Sequence, residues 1–353
     1  MVDTLMMSVV LDAPNELRIE QRPEPQAGPD EALVAIHSTG ICGTDLSIFA
    51  GKIPVTYPLV LGHEMVGTIL EMNGGVPAER HLKPGDRVLV DPVVFCGTCY
   101  QCSKGQVNLC PHGALMGRDR DGGFSNTVAV PAANLYPVPE DISDATGPLL
   151  QVLTTCTHAQ RQTTLQPGES ALVMGLGVAG LLHLQLAKAR GASPLIGVTR
   201  TASKRALAER LGADVTIDPS DPKALETVLE CTSGRGVDVA IEAVGRGSTL
   251  AQAIEFTRIG GRLTLFGTIT EAAPSLPYYQ LYYKELSISN PRAAKPEDFP
   301  AAIAIVENGT VELEPLLTRV LPLSRAKEAI DAIRAGGSLK VVLDHRRDDA
   351  AGT

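Results

Sequence analysis

The chain has 353 residues, of which 44 % are hydrophobic and 20 % are charged, a composition typical of a soluble globular protein with room for two domains. Its formal net charge at pH 7 is −9 without a long basic run, which argues against nucleic acid and anionic membranes as partners. The first residues lack the basic start of a secretory signal, and no apolar run reaches about 18 residues, so the sequence predicts a cytoplasmic protein without a membrane span.

Residues 8–150 contain short apolar or alternating runs separated by glycine, proline and asparagine. The runs at 9–11, 32–37, 65–71 and 87–90 are typical of strands, and no long helical period interrupts them. The first part of the chain is therefore predicted to form a small β-rich domain of the barrel or sandwich type.

Two residues of this segment, Cys42 and His63, are candidate zinc ligands. A thiolate and an imidazole supply two of the three protein ligands that an open, catalytic zinc site needs. Thr44 offers a hydroxyl that can exchange a proton with a zinc-bound oxygen, and Glu64 places a carboxylate beside the histidine. One cysteine and one histidine taken alone favour a purely structural role, so the other motifs decide.

Four of the seven cysteines crowd into a short loop at positions Cys96, Cys99, Cys102 and Cys110. Four thiolates at this spacing can close a tetrahedron around Zn²⁺, and a site without a vacant position stabilises structure and performs no chemistry. A disulfide loop and an iron–sulfur cluster are the alternatives. Zinc is favoured because a cytosolic protein keeps its thiols reduced and because iron–sulfur sequences have different spacings.

The periodicity changes at residue 171, after which short apolar strands alternate with helices. The predicted strands are 171–174, 195–199, 215–217, 237–243 and 262–266, and the predicted helices are 181–190, 203–211, 222–231 and 248–258. Strands and helices of this length in alternation predict a parallel sheet with right-handed crossovers.

A Gly-x-Gly-x-x-Gly sequence joins the first of these strands to its helix. Gly175 is expected to make the tight turn, Gly177 to let the backbone approach a pyrophosphate, and Gly180 to let helix and strand pack closely. Val178 lies at the helix N-terminus, where the pyrophosphate would bind. Strand, turn, helix and second strand follow in the right order, so the sequence predicts a dinucleotide site.

The end of the second strand indicates which dinucleotide binds. NAD sites place an Asp or Glu there for the ribose hydroxyls. This chain has Thr199 and Arg200 instead, with Lys204 one turn further on. A guanidinium can pair with a 2′-phosphate, and no carboxylate is present to repel it, so NADP(H) is favoured. The alternative is that Arg200 is an ordinary solvent-facing loop residue.

The last part of the chain, with predicted helices at 296–308 and 324–335 and a strand at 339–343, is expected to return to the first domain. The predicted domains are therefore 1–153, an inserted dinucleotide domain at 154–292, and a return segment at 293–353, with a cleft at their junction. Substrate-pocket residues are expected in loops such as 48–57 and 267–283. The latter loop includes four tyrosines, Tyr278, Tyr279, Tyr282 and Tyr283. They could line a pocket or form a subunit contact, and a position in the core or at an interface is favoured.

Taken jointly, these motifs resemble the zinc-dependent medium-chain dehydrogenase/reductase family, which includes alcohol, polyol and glucose dehydrogenases. The likeness runs from about residue 8 to 345 and is carried by Cys-Gly-Thr-Asp at 42–45, Gly-His-Glu-x-x-Gly at 62–67, the four-cysteine loop and the glycine turn. The resemblance implies an α/β fold, with a GroES-like, β-rich catalytic domain and a Rossmann domain with a doubly wound parallel sheet. It also implies a catalytic zinc beside the nicotinamide.

The resemblance assigns the metal ligands residue by residue. Cys42 and His63 correspond to catalytic zinc ligands, and Gln151 occupies the place of the third ligand, where the polyol branch has a glutamate and the alcohol branch a cysteine. The alternative is that Gln151 is a cleft residue that does not bind the metal. An amide oxygen binds zinc more weakly than a carboxylate, so Glu64 is expected to act as a transient fourth ligand. The four-cysteine loop corresponds to the structural zinc site.

Other positions match the family's catalytic and cofactor-binding residues. Thr44 corresponds to the hydroxyl that begins the proton relay, Asp45 to an acid that orients His63, and Lys340 to a basic residue that contacts the cofactor phosphates. The alternative for Lys340 is an ordinary exposed surface lysine. Many members carry a histidine three residues after that threonine. Here Ser47 stands there, so the outward route of the proton differs.

The sequence thus predicts an oxidoreductase with one catalytic and one structural Zn²⁺ that transfers a hydride between NADP(H) and a secondary alcohol, polyol or sugar. A homodimer or homotetramer is expected from the resemblance. The alternatives are a zinc-free quinone or enone reductase of the same superfamily and a non-catalytic NADPH-binding protein.

Overall fold

A computed structural model of the chain describes residues 4–270 and 275–347. The chain divides into two compact units. The first comprises the chain up to Val152, Lys295–Glu307 and the chain from Leu313 onward, and the second comprises Leu153–Ala294 with Asn308–Glu312. The outer ends of the predicted first and last segments, 1–3 and 348–353, and residues 271–274 of the second predicted pocket loop lie outside the described residues.

The first unit begins with ten short strands, as the punctuated apolar runs predict. These strands are β1 (Leu5–Ala13), β2 (Glu16–Pro23), β3 (Glu31–Gly40), β4 (Leu59–Val60), β5 (Glu64–Met72), β6 (Arg87–Val90), β7 (Val93–Val94), β8 (Ala114–Leu115), β9 (Thr127–Pro131) and β10 (Leu135–Pro137). Two short helices interrupt them, α1 (Gly43–Phe49) and α2 (Tyr100–Ser103). The longer helix that follows, α3 (Leu149–Gln162), begins in the first unit and belongs to the second from Leu153 onward.

The second unit contains the predicted alternation of strands and helices. Its elements are β11 (Ala171–Met174), α4 (Val178–Ala189), β12 (Leu195–Val198), α5 (Ala202–Arg210), β13 (Val215–Ile217), α6 (Ala224–Cys231), β14 (Val237–Glu242), α7 (Gly247–Phe256), β15 (Thr257–Leu265), α8 (Tyr278–Tyr283) and β16 (Ser287–Ser289). The sheet order is β13-β12-β11-β14-β15-β16, and every adjacent pair is parallel. The order reverses at β11, which is the arrangement of a doubly wound dinucleotide-binding sheet, so the predicted fold class is confirmed.

The return segment adds α9 (Asp298–Glu307), β17 (Leu317–Pro322), α10 (Ala326–Arg334) and β18 (Lys340–Asp344). The closing strand β18 pairs antiparallel with β3, within a seven-stranded sheet of order β10-β6-β5-β3-β18-β17 in which β9 also pairs with β3. Strands β2, β1 and β4 form a second sheet, and β7 pairs with β8. β18 is therefore a strand of the sheet that contains β3 and β5, while the domain bounds 1–153, 154–292 and 293–353 stay a prediction.

Helix α4 begins three residues earlier than its apolar period predicts, because Gly177 serves as its N-cap with extended backbone at φ −80° and ψ −169°. Both faces of the parallel sheet are covered, so β11 is fully buried along its length. The favoured expectation for the tyrosine-rich segment was the core or an interface, and the structure rules out the core. All four rings lie on the surface of α8, between 56 % and 83 % exposed.

No helix among the described residues is both long enough and apolar enough to cross a lipid bilayer.

Candidate metal and dinucleotide sites

The structure brings Cys42, His63 and Glu64 together, with potential ligand atoms within 4.8 Å of one another. Cys42 is the N-cap of α1, His63 lies between β4 and β5, and Glu64 begins β5. Because two segments of chain that are about twenty residues apart converge here, the sequence spacing by itself could not have established this proximity. The Cys42 thiolate and His63 imidazole fit two positions of a tetrahedral Zn²⁺ site.

Asp45 connects the two candidate ligands through the backbone and is completely buried. Its Oδ2 accepts the N–H of Cys42 at 2.8 Å, and its Oδ1 accepts the N–H of Gly62 at 3.2 Å. Oδ1 also lies 3.3 Å from His63 Nδ1, although that nitrogen makes no directed hydrogen bond. Burial lowers the pKa of His63, but the negative charges of Asp45 and Cys42 outweigh burial and raise that pKa well above its usual value. A site that attracts a proton this strongly also suits a metal cation.

Glu64 is held by Lys340, a contact that differs from the expected role of the lysine. Lys340 Nζ lies 2.9 Å and 2.6 Å from the two Glu64 carboxylate oxygens and 3.1 Å from the carbonyl oxygen of Ile41. These contacts occupy all three ammonium protons, and both side chains are buried. The role of Lys340 at the cofactor phosphates stays a prediction.

Thr44 and Gln151 both lie in first turns of helices and are half-buried, Thr44 on α1 and Gln151 on α3. Their roles as proton carrier and third metal ligand stay predictions. Ser47, on the next turn of α1, donates its hydroxyl proton to the Gly43 carbonyl oxygen at 2.9 Å. That proton is directed back into the helix, so Ser47 does not replace the family's histidine as the next step of a relay.

The four cysteines of the 96–110 loop form the second candidate metal site, with all ligand atoms within 4.8 Å of one another. The sulfur of Cys110 lies 3.5 Å from that of Cys96 and 3.8 Å from that of Cys99. A disulfide needs about 2.05 Å, whereas four thiolates at about 2.3 Å from one zinc are about 3.8 Å apart. Backbone N–H groups of Thr98 and Cys99 lower the pKa of Cys96 to about 6. The donor set fits a closed zinc tetrahedron.

The Gly-x-Gly-x-x-Gly turn has the backbone geometry that was expected of each of its three glycines. Gly175 has φ of +95°, where a side chain would be strained. A Cβ on Gly180 would lie 1.8 Å from the carbonyl oxygen of Gly175, so only glycine lets α4 pack this closely. A Cβ on Gly177 would meet nothing within 4 Å. The backbone at Gly177 therefore faces open space, as a pyrophosphate-binding position must.

A cavity of about 690 Å³ lies over the carboxyl end of β11. Three of the predicted residues, Thr199, Arg200 and Lys204, line it together with Gly175 and Gly177, and Val178 follows as the first residue of α4. The other lining residues are Met174, Leu176, Val198, Thr201, Pro219, Ser220, Ala243, Val244, Arg246, Ser248, Thr249 and Gln252. None of the described lining residues is acidic.

Sequence reasoning missed Arg246, which lines this cavity from the loop between β14 and α7. The signal that would have found it is its position just after a parallel strand, since ligands in such folds bind beyond the carboxyl ends of the strands. Glu242, the carboxylate that ends β14, is fully buried. It accepts hydrogen bonds from the backbone of Val244 and Gly245 and from the hydroxyl of Thr249, so it orders the loop.

The predicted pocket loop at 48–57 contributes to a cavity of about 570 Å³ in the first unit. Its walls combine Pro54, Val55, Thr56, Pro58 and Leu59 with the charged run Arg118, Asp119, Arg120 and Asp121. The hydrogen-bonding groups of this lining suit a polar ligand better than a hydrocarbon.

Comparison with known proteins agrees with this architecture. Residues 28–140 match the model of the alcohol dehydrogenase GroES-like domain, and residues 178–308 match that of zinc-binding dehydrogenases. The chain is 32 % identical over 330 residues to D-arabitol-phosphate dehydrogenase of Enterococcus avium, an alignment covering 92 % of this chain and 93 % of the relative.

Two solved structures are similar over nearly the whole chain. One is a putative zinc-binding dehydrogenase from Sinorhizobium meliloti 1021 bound to NADP, with a TM-score of 0.90, 32 % identity and coverage of 97 % of this chain and 99 % of that one. The other is described as a short chain alcohol dehydrogenase from Escherichia coli CFT073 in complex with NADH, with a TM-score of 0.89, 30 % identity and coverage of 97 % and 99 %.

A GroES-like domain joined to a doubly wound dinucleotide-binding sheet defines an NAD(P)-dependent oxidoreductase of the alcohol dehydrogenase class. The chain belongs to the zinc-type medium-chain dehydrogenase/reductase family. The resemblance seen in its sequence is thereby confirmed.

Proposed function

We propose that the protein is a zinc-dependent dehydrogenase that transfers a hydride between NADP(H) and a secondary alcohol, a polyol or a sugar. The observation that carries this proposal is the convergence of the Cys42 and His63 ligand atoms within 4.8 Å. Cys42, His63 and Gln151 hold the zinc, and Asp45 positions the first two. When bound, the zinc supplies the Lewis acidity that polarises the substrate oxygen, and the dinucleotide supplies or accepts the hydride.

The chain's own residues handle the proton. In the oxidation direction the carbinol carbon loses a hydride and the hydroxyl oxygen loses a proton. The Thr44 hydroxyl accepts that proton as it passes its own onward. Because the Ser47 hydroxyl is bonded to Gly43, the proton leaves Thr44 for solvent or the cofactor side and not through Ser47. Glu64, neutralised by Lys340, stays out of the zinc coordination at rest.

Binding of NADP(H) is supported by the charges around the 690 Å³ cavity. Gly175, Gly177, Val178 and Gly180 form the turn that receives the pyrophosphate at the N-terminus of α4. At the end of β12, Thr199 offers a hydroxyl, while Arg200 and Lys204 offer positive charge to a ribose 2′-phosphate. The four-cysteine loop holds the second, structural zinc.

The class of substrate is supported by the charged lining of the cavity at 54–59 and 118–121. A polar, charged lining favours a polyol or sugar over an unsubstituted alcohol. The relative from Enterococcus avium acts, by its name, on a phosphorylated polyol. Substrates with and without a phosphate therefore belong in the same screen.

A homodimer or homotetramer is also proposed. Four exposed tyrosines on α8 stand next to β16, which ends the parallel sheet within the described residues. Exposed aromatic clusters and open sheet edges are typical of protein interfaces. Light scattering coupled to size exclusion tests this: a monomer across the micromolar range would contradict it.

The experiment that tests the function is an NADP⁺-linked screen of polyols, polyol phosphates, aldoses and simple secondary alcohols, with and without a chelator, accompanied by zinc analysis. Chelator-sensitive turnover with two zinc ions per chain is expected. A metal-free protein that reduces quinones or enones would instead identify a zinc-free reductase. Cofactor binding without turnover on any substrate would identify a non-catalytic NADPH-binding protein.

A further inference from the structure

The dinucleotide cavity contains a third cation, Arg246, in addition to Arg200 and Lys204. The two predicted cations follow β12, whereas Arg246 is the N-cap of α7 and follows β14. In the sheet, β12 and β14 are the two neighbours of β11, whose carboxyl end carries the glycine turn. Two strand spacings of about 4.8 Å each separate β12 from β14. Extended arginine and lysine side chains that start from these two strands can reach across that distance.

None of these three side chains forms an ion pair or side-chain hydrogen bond with any part of the chain that the structure describes. The neighbouring Arg205 provides the contrast. It donates to Asp218 at 3.1 Å and to the carbonyl oxygen of Thr199 at 2.7 Å, so it stabilises the protein itself. Unpaired cations around a concave surface focus positive potential into it, which favours a multiply charged anion.

Three carboxylates are next to lining residues in the sequence, and each accepts hydrogen bonds from the chain itself. Glu242 is saturated by the loop that follows it, and Asp218 accepts hydrogen bonds from Arg205 and from the backbone and hydroxyl of Ser220. Asp221 accepts the backbone N–H of Lys223 at 2.9 Å. None of the three is among the lining residues. The cavity therefore lacks the carboxylate that would recognise the free 2′-hydroxyl of NAD.

We infer that Arg246 is a specificity-determining residue that binds the ribose 2′-phosphate of NADP(H) from the β14 side, facing Arg200 and Lys204 on the β12 side. This inference rests on the proposed dinucleotide role of the cavity and adds a residue to it. A phosphate monoester carries up to two negative charges and three acceptor oxygens, so it can engage cations from both sides at once. Arg246 would then contribute to the preference for NADP(H) over NAD(H) without touching the reacting atoms.

The test is calorimetric binding of two fragments, adenosine 2′,5′-bisphosphate and ADP, to the full-length, zinc-loaded protein. Arg246→Ala is expected to weaken the 2′,5′-bisphosphate about tenfold, the loss typical of one exposed charge-assisted hydrogen bond, and to change ADP by less than about twofold. Arg246→Lys should lie between. Arg210→Ala, an equal loss of charge on α5 outside the cavity, is the matched control and should bind both fragments as the wild type does.

Each other outcome is decisive. Equal weakening of both fragments by Arg246→Ala would show that the guanidinium contacts the adenine or only the general field, which overturns the inference and leaves the dinucleotide site intact. An unchanged preference for the 2′,5′-bisphosphate in that variant would overturn it as well. A wild-type protein that binds neither fragment would refute the proposed cofactor site itself, and a melting curve for each variant separates these outcomes from misfolding.

Discussion

Lys340 and Glu64 form a buried ion pair that crosses over Gly40, the residue between them on the middle strand. Gly40 pairs with Glu64 on one side, across β3 and β5, and with Val342 on the other, across β3 and β18. A Cβ on Gly40 would lie 2.0 Å from a Glu64 carboxylate oxygen, so only glycine leaves room for the pair. The closing strand of the chain thereby neutralises a carboxylate that lies next to the candidate zinc ligand His63.

Replacing Lys340 with Met is expected to destabilise the first unit by about 3–5 kcal/mol, because it leaves the Glu64 carboxylate buried without a partner. Urea unfolding measures the loss. The double variant Lys340→Met with Glu64→Gln should recover much of it, since no uncompensated charge then remains. Lys327→Met, which removes an exposed lysine paired with Asp331, is the control and should stay within about 0.5 kcal/mol of the wild type. A Lys340→Met variant as stable as this control would contradict the argument.

The two candidate zinc sites should be separable by mutation. Cys99→Ser removes one of four thiolates from a closed site, so we expect the loss of about one zinc per chain together with a lower melting temperature. Cys42→Ser should also lose one zinc but keep the melting temperature close to that of the wild type, because α1 and β5 are held by other contacts. Cys231→Ser, a half-buried thiol outside both clusters, is the control for each. Zinc content by mass spectrometry and thermal melts give the answer, and a Cys42→Ser variant that keeps all its zinc would refute the catalytic assignment.

Local patterns predicted the elements around the dinucleotide site well, because strand, turn and helix there are encoded within some twenty consecutive residues. The apolar run 171–174 is a strand with those same bounds, and Gly180 packs against Gly175 as its position in the motif requires. The four cysteines are likewise close in sequence, so their spacing already defined their geometry.

Contacts between remote residues could not be predicted in the same way. Lys340 lies 276 positions from Glu64, and their pairing depends on the order of β5, β3 and β18 in the sheet, which no local pattern encodes. Arg246 follows a strand that the sequence predicts, but its position across β11 from Arg200 depends on the order of β12, β11 and β14 in the sheet. The tyrosines of α8 were expected in a core or an interface. Their residue type alone could not predict that all four rings lie on the surface of the helix.

Two glycines of the dinucleotide turn should respond to alanine in opposite ways. Gly180→Ala places a methyl group 1.8 Å from the carbonyl oxygen of Gly175, so α4 must move and the second unit should lose about 2 kcal/mol or more of stability. Gly177→Ala meets no atom within 4 Å and keeps an ordinary φ of −80°, so its stability should change by less than about 1 kcal/mol. Its methyl group nevertheless enters the space assigned to the pyrophosphate. NADPH binding by fluorescence should therefore fall in Gly177→Ala at unchanged stability, and tight binding in that variant would contradict the placement of the pyrophosphate.

Arg200→Ala should raise the Michaelis constant for NADPH far more than that for NADH, by about tenfold against less than about twofold, because only NADPH carries the phosphate that the guanidinium would pair with. Steady-state kinetics with both cofactors, on one substrate from the screen, measures the ratio. Arg210→Ala removes the same charge from the end of α5 and should leave both constants unchanged. Equal increases for the two cofactors would show that Arg200 is a solvent-facing loop residue.

Acid sensitivity of the first unit should depend on Asp144. Burial raises the pKa of this carboxyl, but the hydrogen bond from His37 at 3.2 Å and the charge and hydrogen bond of Arg87 at 2.7 Å outweigh burial, and the pKa falls well below its usual range. Arg346 pairs with the same carboxylate.

A carboxyl whose pKa is lower in the folded than in the unfolded protein stabilises the fold above the unfolded value of about 3.9. It loses that contribution as the pH falls toward the folded value. Asp144→Asn should therefore cost about 1–2 kcal/mol at pH 7, a range that allows for solvent screening of this partly exposed cluster. The difference from the wild type in urea unfolding should shrink progressively below about pH 4. Asp331→Asn, on exposed α10, should show little effect at any pH, and a deficit in Asp144→Asn that is the same at pH 2.5 as at pH 7 would disprove the electrostatic origin of its stabilisation.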